Sequence, residues 1–227
     1  MSVFQYEKDA DGIVIVTMDM TGPVNAINAE YNEAMEETVS RLESEKDLSG
    51  VVFASAKKVF FAGADLKELI QADSSDKDKI FQNGETIKGQ FRRLEKLPVP
   101  IVAAINGSAL GGGYELSLAC NHRIAYNHKS VQIGLPECSL GLYPAGGGVV
   151  RLTKLIGVEK ALDIIIKSRR LTPDKALTQG LIHQLVNDLD DLIPVSKNWI
   201  LENKSNIASR VQPWDQKGYK IPGGPIN

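Results

Sequence analysis

The chain has 227 residues, a formal net charge of −2 and only two cysteines. Charges of both signs are spread along it, which argues against a nucleic acid or an anionic membrane surface as partner and favours a small-molecule ligand. The longest apolar runs fall far short of the ~20 residues of a membrane-spanning helix, and the N-terminus lacks signal-peptide character, so we expect one large cytoplasmic domain.

The first half of the chain alternates between strand-like and helix-like segments. β-branched and apolar runs predict strands at residues 12–18, 50–54 and 100–105. Apolar positions at helical spacing predict helices at residues 29–46 and 76–97, and a further helix is predicted to begin at glycines 111–113. Such alternation predicts an α/β domain with parallel strands, whose ligands lie at strand carboxyl ends and helix N-termini.

The second half continues in the same way. A short strand is predicted at residues 131–133, helices at 147–156 and 159–167, and a helix start at Pro173. Residues 206–227 contain prolines and glycines without apolar periodicity, so we expect a tail or linker without packed elements after a domain at residues 1–205.

Two glutamates follow glycine-rich segments. Glu115 comes shortly after glycines 111–113, and Glu137 follows Pro136 in a second turn. Glycine lets a ligand approach the backbone closely, and two carboxylates can share one water molecule. The two glutamates are therefore a candidate acid/base pair. A solvated helix residue and a turn acid are the plainer alternatives for Glu115 and Glu137 respectively.

The same glycines indicate an anion site. Between a strand and a helix, Gly111 and Gly112 can present N–H groups at the positive end of a helix dipole. The small-residue turn at residues 61–66, with Asp65 as an early helix or cap residue, could supply a second N–H group. Two such donors on one carbonyl oxygen would stabilise an enolate or tetrahedral oxyanion, so we predict a thioester or ester site. The alternative is that the glycines only allow close helix packing.

Other chemistries have weaker support. Ser108 and Ser139 lack the leading glycine of a nucleophile motif, and neither a dinucleotide fingerprint nor a phosphate-binding loop is present. Lys57 and Lys58 are either phosphate contacts or a solvated loop. We predict no metal, because no familiar ligand spacing joins the candidate residues. These are Cys120, His122, His128 and Cys138.

Taken together, several motifs resemble the enoyl-CoA hydratase/isomerase (crotonase) family, from about Val14 to Val186. In order they are residues 23–28 (PVNAIN), 61–66 (FAGADL), 105–107 (ING), 109–115 (ALGGGYE), 134–137 (GLPE) and 141–144 (GLYP). Residues 212–215 (QPWD) further resemble the amino-terminal hydratase part of bacterial multifunctional fatty-acid oxidation alpha subunits, in which a 3-hydroxyacyl-CoA dehydrogenase part follows. The chain would then be a truncated piece.

The resemblance implies a spiral of ββα units with two roughly perpendicular sheets flanked by helices. It implies hydration of 2-enoyl-CoA to 3-hydroxyacyl-CoA in fatty-acid β-oxidation. The N–H groups of Ala64 and Gly112 would hold the thioester oxygen, Glu115 would activate water, and Glu137 would donate a proton to C2. The same resemblance implies no cofactor beyond the coenzyme A of the substrate, association of the full-length chain with a thiolase subunit, and a homo-oligomer.

Further positions follow from the same resemblance. Those assigned to substrate binding are Asn25, Ala26, Lys57, Lys58, Ala62, Gly63, Asp65, Leu66, Gly111, Pro136, Pro144 and Ala145. The backbone N–H of Ala145, where the family usually has glycine, would help to place the water. Alternative functions are Δ3,Δ2-enoyl-CoA isomerisation, which would need only Glu137, a non-catalytic acyl-CoA-binding module, and a serine peptidase on a related fold.

Overall fold

The computed structural model describes residues 2–65, 70–71 and 73–224. Within these ranges the strands are β1 Phe4–Lys8, β2 Ile13–Met18, β3 Gly50–Ser55, β4 Ile101–Ile105, β5 Ala109–Leu110, β6 His122–Tyr126, β7 Ile133–Gly134, β8 Arg170–Leu171 and β9 Gln184–Val186. The α-helices are α1 Ala29–Ser44, α2 Lys77–Glu95, α3 Gly112–Ala119, α4 Gly148–Ile156, α5 Val158–Ile166, α6 Pro173–Thr178 and α7 Leu192–Asn203.

Two sheets organise the described part of the chain. The larger has the strand order β1-β2-β3-β4-β6-β9, and the smaller has the order β5-β7-β8. Strands β2 to β9 of the larger sheet are parallel, whereas β1 pairs antiparallel with β2 at the edge. The predicted α/β class with parallel strands is therefore confirmed. The apolar pattern indicated none of β1, β5 and β8, and the strand predicted at residues 131–133 overlaps β7 only at Ile133.

Apolar side chains cover both faces of the larger sheet. In β3, Val51 and Phe53 belong to the main core cluster, to which α1 to α6 contribute, and Val52 belongs to a second cluster with Leu192 and Ile200 of α7. Successive strand side chains point to opposite faces, so each face needs its own helical layer. This double cover explains the continuous apolar runs of the central strands.

Local signals place the helix ends close to their predicted positions. The side chain of Asn28 caps α1 by accepting a hydrogen bond from the Tyr31 N–H at 2.9 Å. Pro173 occupies the first turn of α6, as predicted, where its missing N–H has no helical partner to lose. None of the helices within the described ranges combines the length and apolar character needed to cross a bilayer.

Part of the C-terminal segment packs against the domain. It forms 3-10 helices at Ile207–Arg210 and Pro213–Asp215. The buried Gln212 side chain donates from Nε2 to the Ala119 carbonyl at 2.8 Å. The expectation of no packed element after residue 205 is thus wrong for this stretch, because polar anchoring replaces the missing apolar periodicity. The division into a domain and a linker stays a prediction.

Candidate active site

Two loops leave the sheets side by side and meet at the candidate site. Phe61 pairs in parallel with Ala109, through its own N–H to the Ser108 carbonyl and the Leu110 N–H to the Phe61 carbonyl, both at 3.1 Å. A Cβ atom on Gly63 would lie 3.6 Å from the Gly112 nitrogen. The segments that carry Ala64 and Gly112 therefore lie so close that one added Cβ atom on Gly63 would bring them into van der Waals contact.

Both candidate N–H donors come from backbone positions with distinct geometry. Gly112 is the first residue of α3, where N–H groups have no partner within the helix. Ala64 pairs with Ile27, but the bonds are made by its neighbours: Ile27 N–H donates to Gly63 at 2.8 Å and Asp65 N–H to Ile27 at 3.0 Å. The Ala64 N–H consequently points away from Ile27.

A cavity of about 350 Å³ opens where the loops meet. Its wall includes the Glu115 and Glu137 side chains. The wall also includes these other predicted site residues: Ala62, Gly63, Ala64, Asp65, Gly111, Gly112, Pro136 and Ala145. The structure thus brings both candidate acid/base residues and both candidate oxyanion donors to a single cavity.

Three glycines at residues 146–148 form a turn that leads into α4, and this turn holds Glu115. It is 3% exposed, and its Oε1 accepts a hydrogen bond from the Gly148 N–H at 2.7 Å. A Cβ atom on Gly146 would lie 2.7 Å from Glu115 Oε2, and one on Gly148 would lie 2.9 Å from Oε1. Glycine at both positions leaves the space that the carboxyl group fills.

Burial is the main influence on the protonation of Glu115. Loss of hydration raises the pKa of Glu115 to about 7, the backbone N–H groups of Gly148 and Gly146 and the charge of Arg151 oppose this rise, and the charge of Glu137 adds to it. The carboxyl group therefore changes protonation near neutral pH, as suits an acid/base catalyst.

Glu137 begins a 3-10 turn, Glu137–Leu140, that follows the buried Pro136. A Cβ atom on Gly111 would lie 3.0 Å from Glu137 Oε1, so glycine there leaves room for this carboxyl group. The buried Oε2 makes no hydrogen bond to any described residue. Burial raises the pKa of Glu137 above its ordinary value, which favours the neutral acid.

Asn25 has a structural position. Its side-chain amide accepts a hydrogen bond from the Met20 N–H at 3.1 Å and donates one to Ser55 Oγ at 2.9 Å. Its backbone carbonyl accepts a hydrogen bond from the Ala62 N–H at 2.9 Å. The side chain is fully buried and is not part of the cavity wall. Asn25 therefore anchors the loop that contains Ala62. The predicted role of Asn25 in substrate binding stays a prediction.

The other predicted contacts lie outside the cavity wall or outside the described residues. Lys57 pairs with Asp19 at 2.6 Å, and Lys58 is exposed. Ala26 is half-buried and Pro144 is buried. Their roles stay predictions. Leu66 lies outside the described residues.

The apolar part of the wall was not predicted. It contains Ile80 and Ile87 of α2, with Leu140, Leu142 and Tyr143. Both isoleucines belong to the apolar positions that predicted the helix at residues 76–97, yet Ile80 is 44% exposed and Ile87 only 6%. The available signal was the apolar run at 140–143, which has no strand or helix period to bury it.

The rejected zinc candidates have no metal-site geometry. Across the described ranges, the structure places no group of three or more His, Cys, Asp or Glu side chains so that they could hold a metal ion. His122 instead stacks on His183 and Trp199, with ring centroids 4.6 and 4.0 Å away. Burial holds the pKa of His122 down at about 4, consistent with a neutral packed ring.

Two relatives with similar sequences are longer than this chain. The fatty acid oxidation complex subunit alpha of Shewanella halifaxensis is 38% identical over 196 residues, covering 85% of this chain and 26% of that protein. The same subunit of Shewanella frigidimarina is 37% identical over 214 residues, covering 92% of this chain and 30% of that protein. The chain therefore spans between a quarter and a third of the length of these relatives.

Solved structures share the fold. Enoyl-CoA hydratase from Bacillus anthracis matches with a TM-score of 0.82 and 31% identity, over 92% of this chain and 80% of that chain. The enoyl-CoA hydratase of Thermoplasma volcanium matches with a TM-score of 0.81 and 25% identity, over 92% and 81%. The family model described as enoyl-CoA hydratase/isomerase matches residues 8–211. The resemblance in the motifs is thus confirmed, and the chain belongs to the enoyl-CoA hydratase/isomerase family.

Proposed function

We propose that this chain hydrates 2-enoyl-CoA thioesters to 3-hydroxyacyl-CoA. The observation that carries the proposal is the meeting of Glu115 and Glu137, from separate elements, in one cavity beside the loops of Ala64 and Gly112. Membership of the enoyl-CoA hydratase/isomerase family supports hydration or isomerisation of enoyl-CoA as the chemistry. Two carboxylates suit the addition of water, which needs one proton removed and one delivered.

The backbone would stabilise the charge that develops. As the hydroxyl group adds to C3, electrons move to the thioester oxygen and form an enolate. The N–H groups of Ala64 and Gly112 would donate to this oxygen, and one such donor is typically worth about 3 kcal/mol in the barrier. Gly112 adds the positive end of the α3 dipole.

The glutamates would divide the proton transfers. Glu115 takes a proton from water in its charged form, which the Gly148 N–H at 2.7 Å stabilises while burial raises its pKa to about 7. Glu137 gives a proton to C2, because its buried Oε2 has no hydrogen-bond partner among the described residues and burial favours the neutral form. The proton gained by Glu115 then returns to Glu137. Water is added without a change in oxidation state, so the reaction requires no cofactor beyond the coenzyme A of the substrate.

Substitution of each carboxyl group tests the proposal. Hydration is followed as the loss of enoyl-thioester absorbance with crotonyl-CoA and a longer 2-enoyl-CoA. Glu115→Gln and Glu137→Gln should each lower kcat by about 100- to 10,000-fold. Binding of a saturated acyl-CoA, measured by calorimetry, should persist in both. A variant that keeps the wild-type rate would rule out the two-carboxylate mechanism.

Isomerisation is the second candidate at this site. Glu137 Oε2, which no described residue hydrogen-bonds, favours it, because one carboxyl group can move a proton between C2 and C4 of a 3-enoyl thioester. Glu115→Gln should then abolish hydration and spare isomerisation. Binding of acyl-CoA by the wild type without either reaction would instead indicate a binding module.

The relatives' names suggest the pathway. Both named relatives are alpha subunits of fatty acid oxidation complexes. We place the proposed hydration in fatty-acid β-oxidation in the cytoplasm, with the longer protein associating with a thiolase subunit. Co-purification of a tagged full-length protein with its partner tests the association.

A further inference from the structure

A buried ion pair reaches the glycine turn that holds Glu115. Arg151 of α4 is 7% exposed and donates from Nε to Glu95 Oε1 at 2.6 Å and from Nη1 to the Gly146 carbonyl at 3.0 Å. Arg151 is not part of the cavity wall, and its guanidinium group joins one carboxylate to one carbonyl of the turn.

The turn transmits the position of Arg151 to Glu115. Gly147 has a φ of 105°, in the left-handed region, and a Cβ atom there would clash with Arg151 Nη1. The next residue, Gly148, donates its N–H to Glu115 Oε1 at 2.7 Å. A shift of the Gly146 carbonyl would therefore redirect the N–H that orients the carboxyl group.

Glu95 is itself held from a second direction. It is 5% exposed and accepts a further hydrogen bond from Arg92 Nη1 at 2.7 Å. Arg92 in turn makes two hydrogen bonds, both of 2.8 Å, with the Asp215 carboxylate of the C-terminal segment. The carboxylate that Arg151 meets is thus fixed by a second arginine.

From this arrangement we infer that Arg151, oriented by Glu95, is a positioning residue that holds the turn at 146–148 and so sets the direction and proton affinity of Glu115. The inference deepens the proposed function, and its consequence for the rate rests on that function. A purely structural ion pair would join α2 to α4 and leave Glu115 unaffected.

Electrostatics support the same assignment. The charge of Arg151 lowers the pKa of Glu115 against burial, and the Glu137 charge raises it. The phenol of Tyr31, which is fully buried, also interacts with the charge of Glu115. Removal of Arg151 takes away its own charge and loosens the two N–H donors of the turn.

The test follows Glu115 directly. Carboxyl ¹³C resonances of labelled glutamate are titrated by NMR, and the Glu115 signal is assigned by its loss in Glu115→Gln. In Arg151→Met the pKa of Glu115 should rise by about one unit or more. In the same variant kcat for hydration should fall about 10- to 100-fold while the Kd of a saturated acyl-CoA stays within about twofold.

Two further variants guard against misfolding. Arg151→Met leaves the buried Glu95 carboxylate without its Arg151 partner. The double variant Glu95→Gln/Arg151→Met removes both charges and should show the same rise in the pKa of Glu115. Arg151→Lys keeps the charge without the fork of donors and should recover part of the wild-type value.

Arg93→Met is the matched control. Arg93 lies in α2 beside Arg92, but its partners are Glu36 and Glu43 of α1, at 2.6 and 2.7 Å. This variant should leave kcat and the Glu115 titration unchanged.

The outcomes separate the two levels of the proposal. An unchanged Glu115 titration in folded Arg151→Met and in the double variant would overturn the positioning role. A wild type that binds acyl-CoA without hydrating it would overturn the proposed function, and the NMR titration would still decide whether Arg151 positions Glu115.

Discussion

Glu115 shows what a functional carboxyl group demands of its surroundings. It is 3% exposed in a helix whose residues are all buried, and full burial of a carboxylate is unfavourable. One hydrogen bond from Gly148 and the nearby Arg151 charge offset part of that cost, and the pKa still rises to about 7. We interpret the part of this unfavourable free energy that is not offset as a loss of folding stability, which accompanies a proton-transfer group that works near neutral pH.

The raised pKa makes a prediction about stability. Between the ordinary value of 4.5 and about 7, the folded protein binds the Glu115 proton more tightly than the unfolded chain does. Folding stability contributed by this group is therefore lost as pH rises through that window. Relative to wild type, Glu115→Gln should gain up to about 3 kcal/mol in unfolding free energy between about pH 5 and about pH 8.

Urea unfolding at several pH values measures this gain. Glu159→Gln, at an exposed position in α5, removes one negative charge without emptying a buried site and serves as the control. If wild type and Glu115→Gln have parallel pH dependences, Glu115 does not titrate within the fold as described.

Among the elements, the turn before α4 and the start of α3 matter most. Gly148 makes one bond to Glu115 through its N–H, and its missing side chain leaves room for that carboxyl group. Gly112 also lacks a side chain, which leaves the N–H group at the start of α3 accessible from the cavity. The proposed function thus depends on the start of α3, which lines the cavity, and on the start of α4, which holds Glu115.

Gly148→Ala should disturb Glu115 through sterics. The new Cβ atom would lie 2.9 Å from both Cγ and Oε1 of Glu115 and 3.0 Å from Cδ1 of the buried Leu135. Displacement of the carboxyl group by a fraction of an ångström should lower kcat about 10- to 100-fold. Steady-state hydration kinetics measure the change.

Gly89→Ala provides the matched substitution. Gly89 lies inside α2, and a Cβ atom there would meet nothing within 4 Å. It should leave kcat unchanged and raise the unfolding free energy by about 0.5–1 kcal/mol, because alanine favours the helix. Equal losses of kcat in the two variants would show that the effect is not specific to the Glu115 turn.

At the scale of the whole molecule, the C-terminal segment is coupled to the site by polar contacts. The buried Gln212 side chain bonds the Ala119 carbonyl at the end of α3, the helix whose first residue is Gly112. Asp215 meets Arg92 of α2, the helix that contributes Ile80 and Ile87 to the cavity. Both contacts join this segment to elements of the cavity wall.

Gln212→Ala should lower the unfolding free energy by about 1–3 kcal/mol, because it leaves the Ala119 carbonyl buried without its donor. Gln216→Ala is the control, since Gln216 is exposed and bonds only carbonyls of its own segment, Ala208 and Val211. Urea unfolding followed by circular dichroism compares them. Similar, small losses in both variants would mean that the segment is not part of the cooperative unit.

The sequence by itself was enough for the alternating α/β order, most helix limits and the two glutamates behind glycine-rich segments. These features are written in local signals: apolar spacing selects helix or strand, and glycines mark where the backbone must be bare. The roles of the predicted site residues stay predictions, although Glu115, Glu137, Ala64 and Gly112 do line one cavity.

Only the tertiary structure decided which distant residues meet. Glu95 and Arg151 are 56 positions apart and Arg92 and Asp215 are 123 apart, so no local period indicates either pair. The same holds for the edge strand β1, for the internal bonds of Asn25, and for the apolar wall. The type of a residue, apolar or charged, indicates which class of partner it requires. Which particular residue becomes that partner is determined by how the sheets and helices pack.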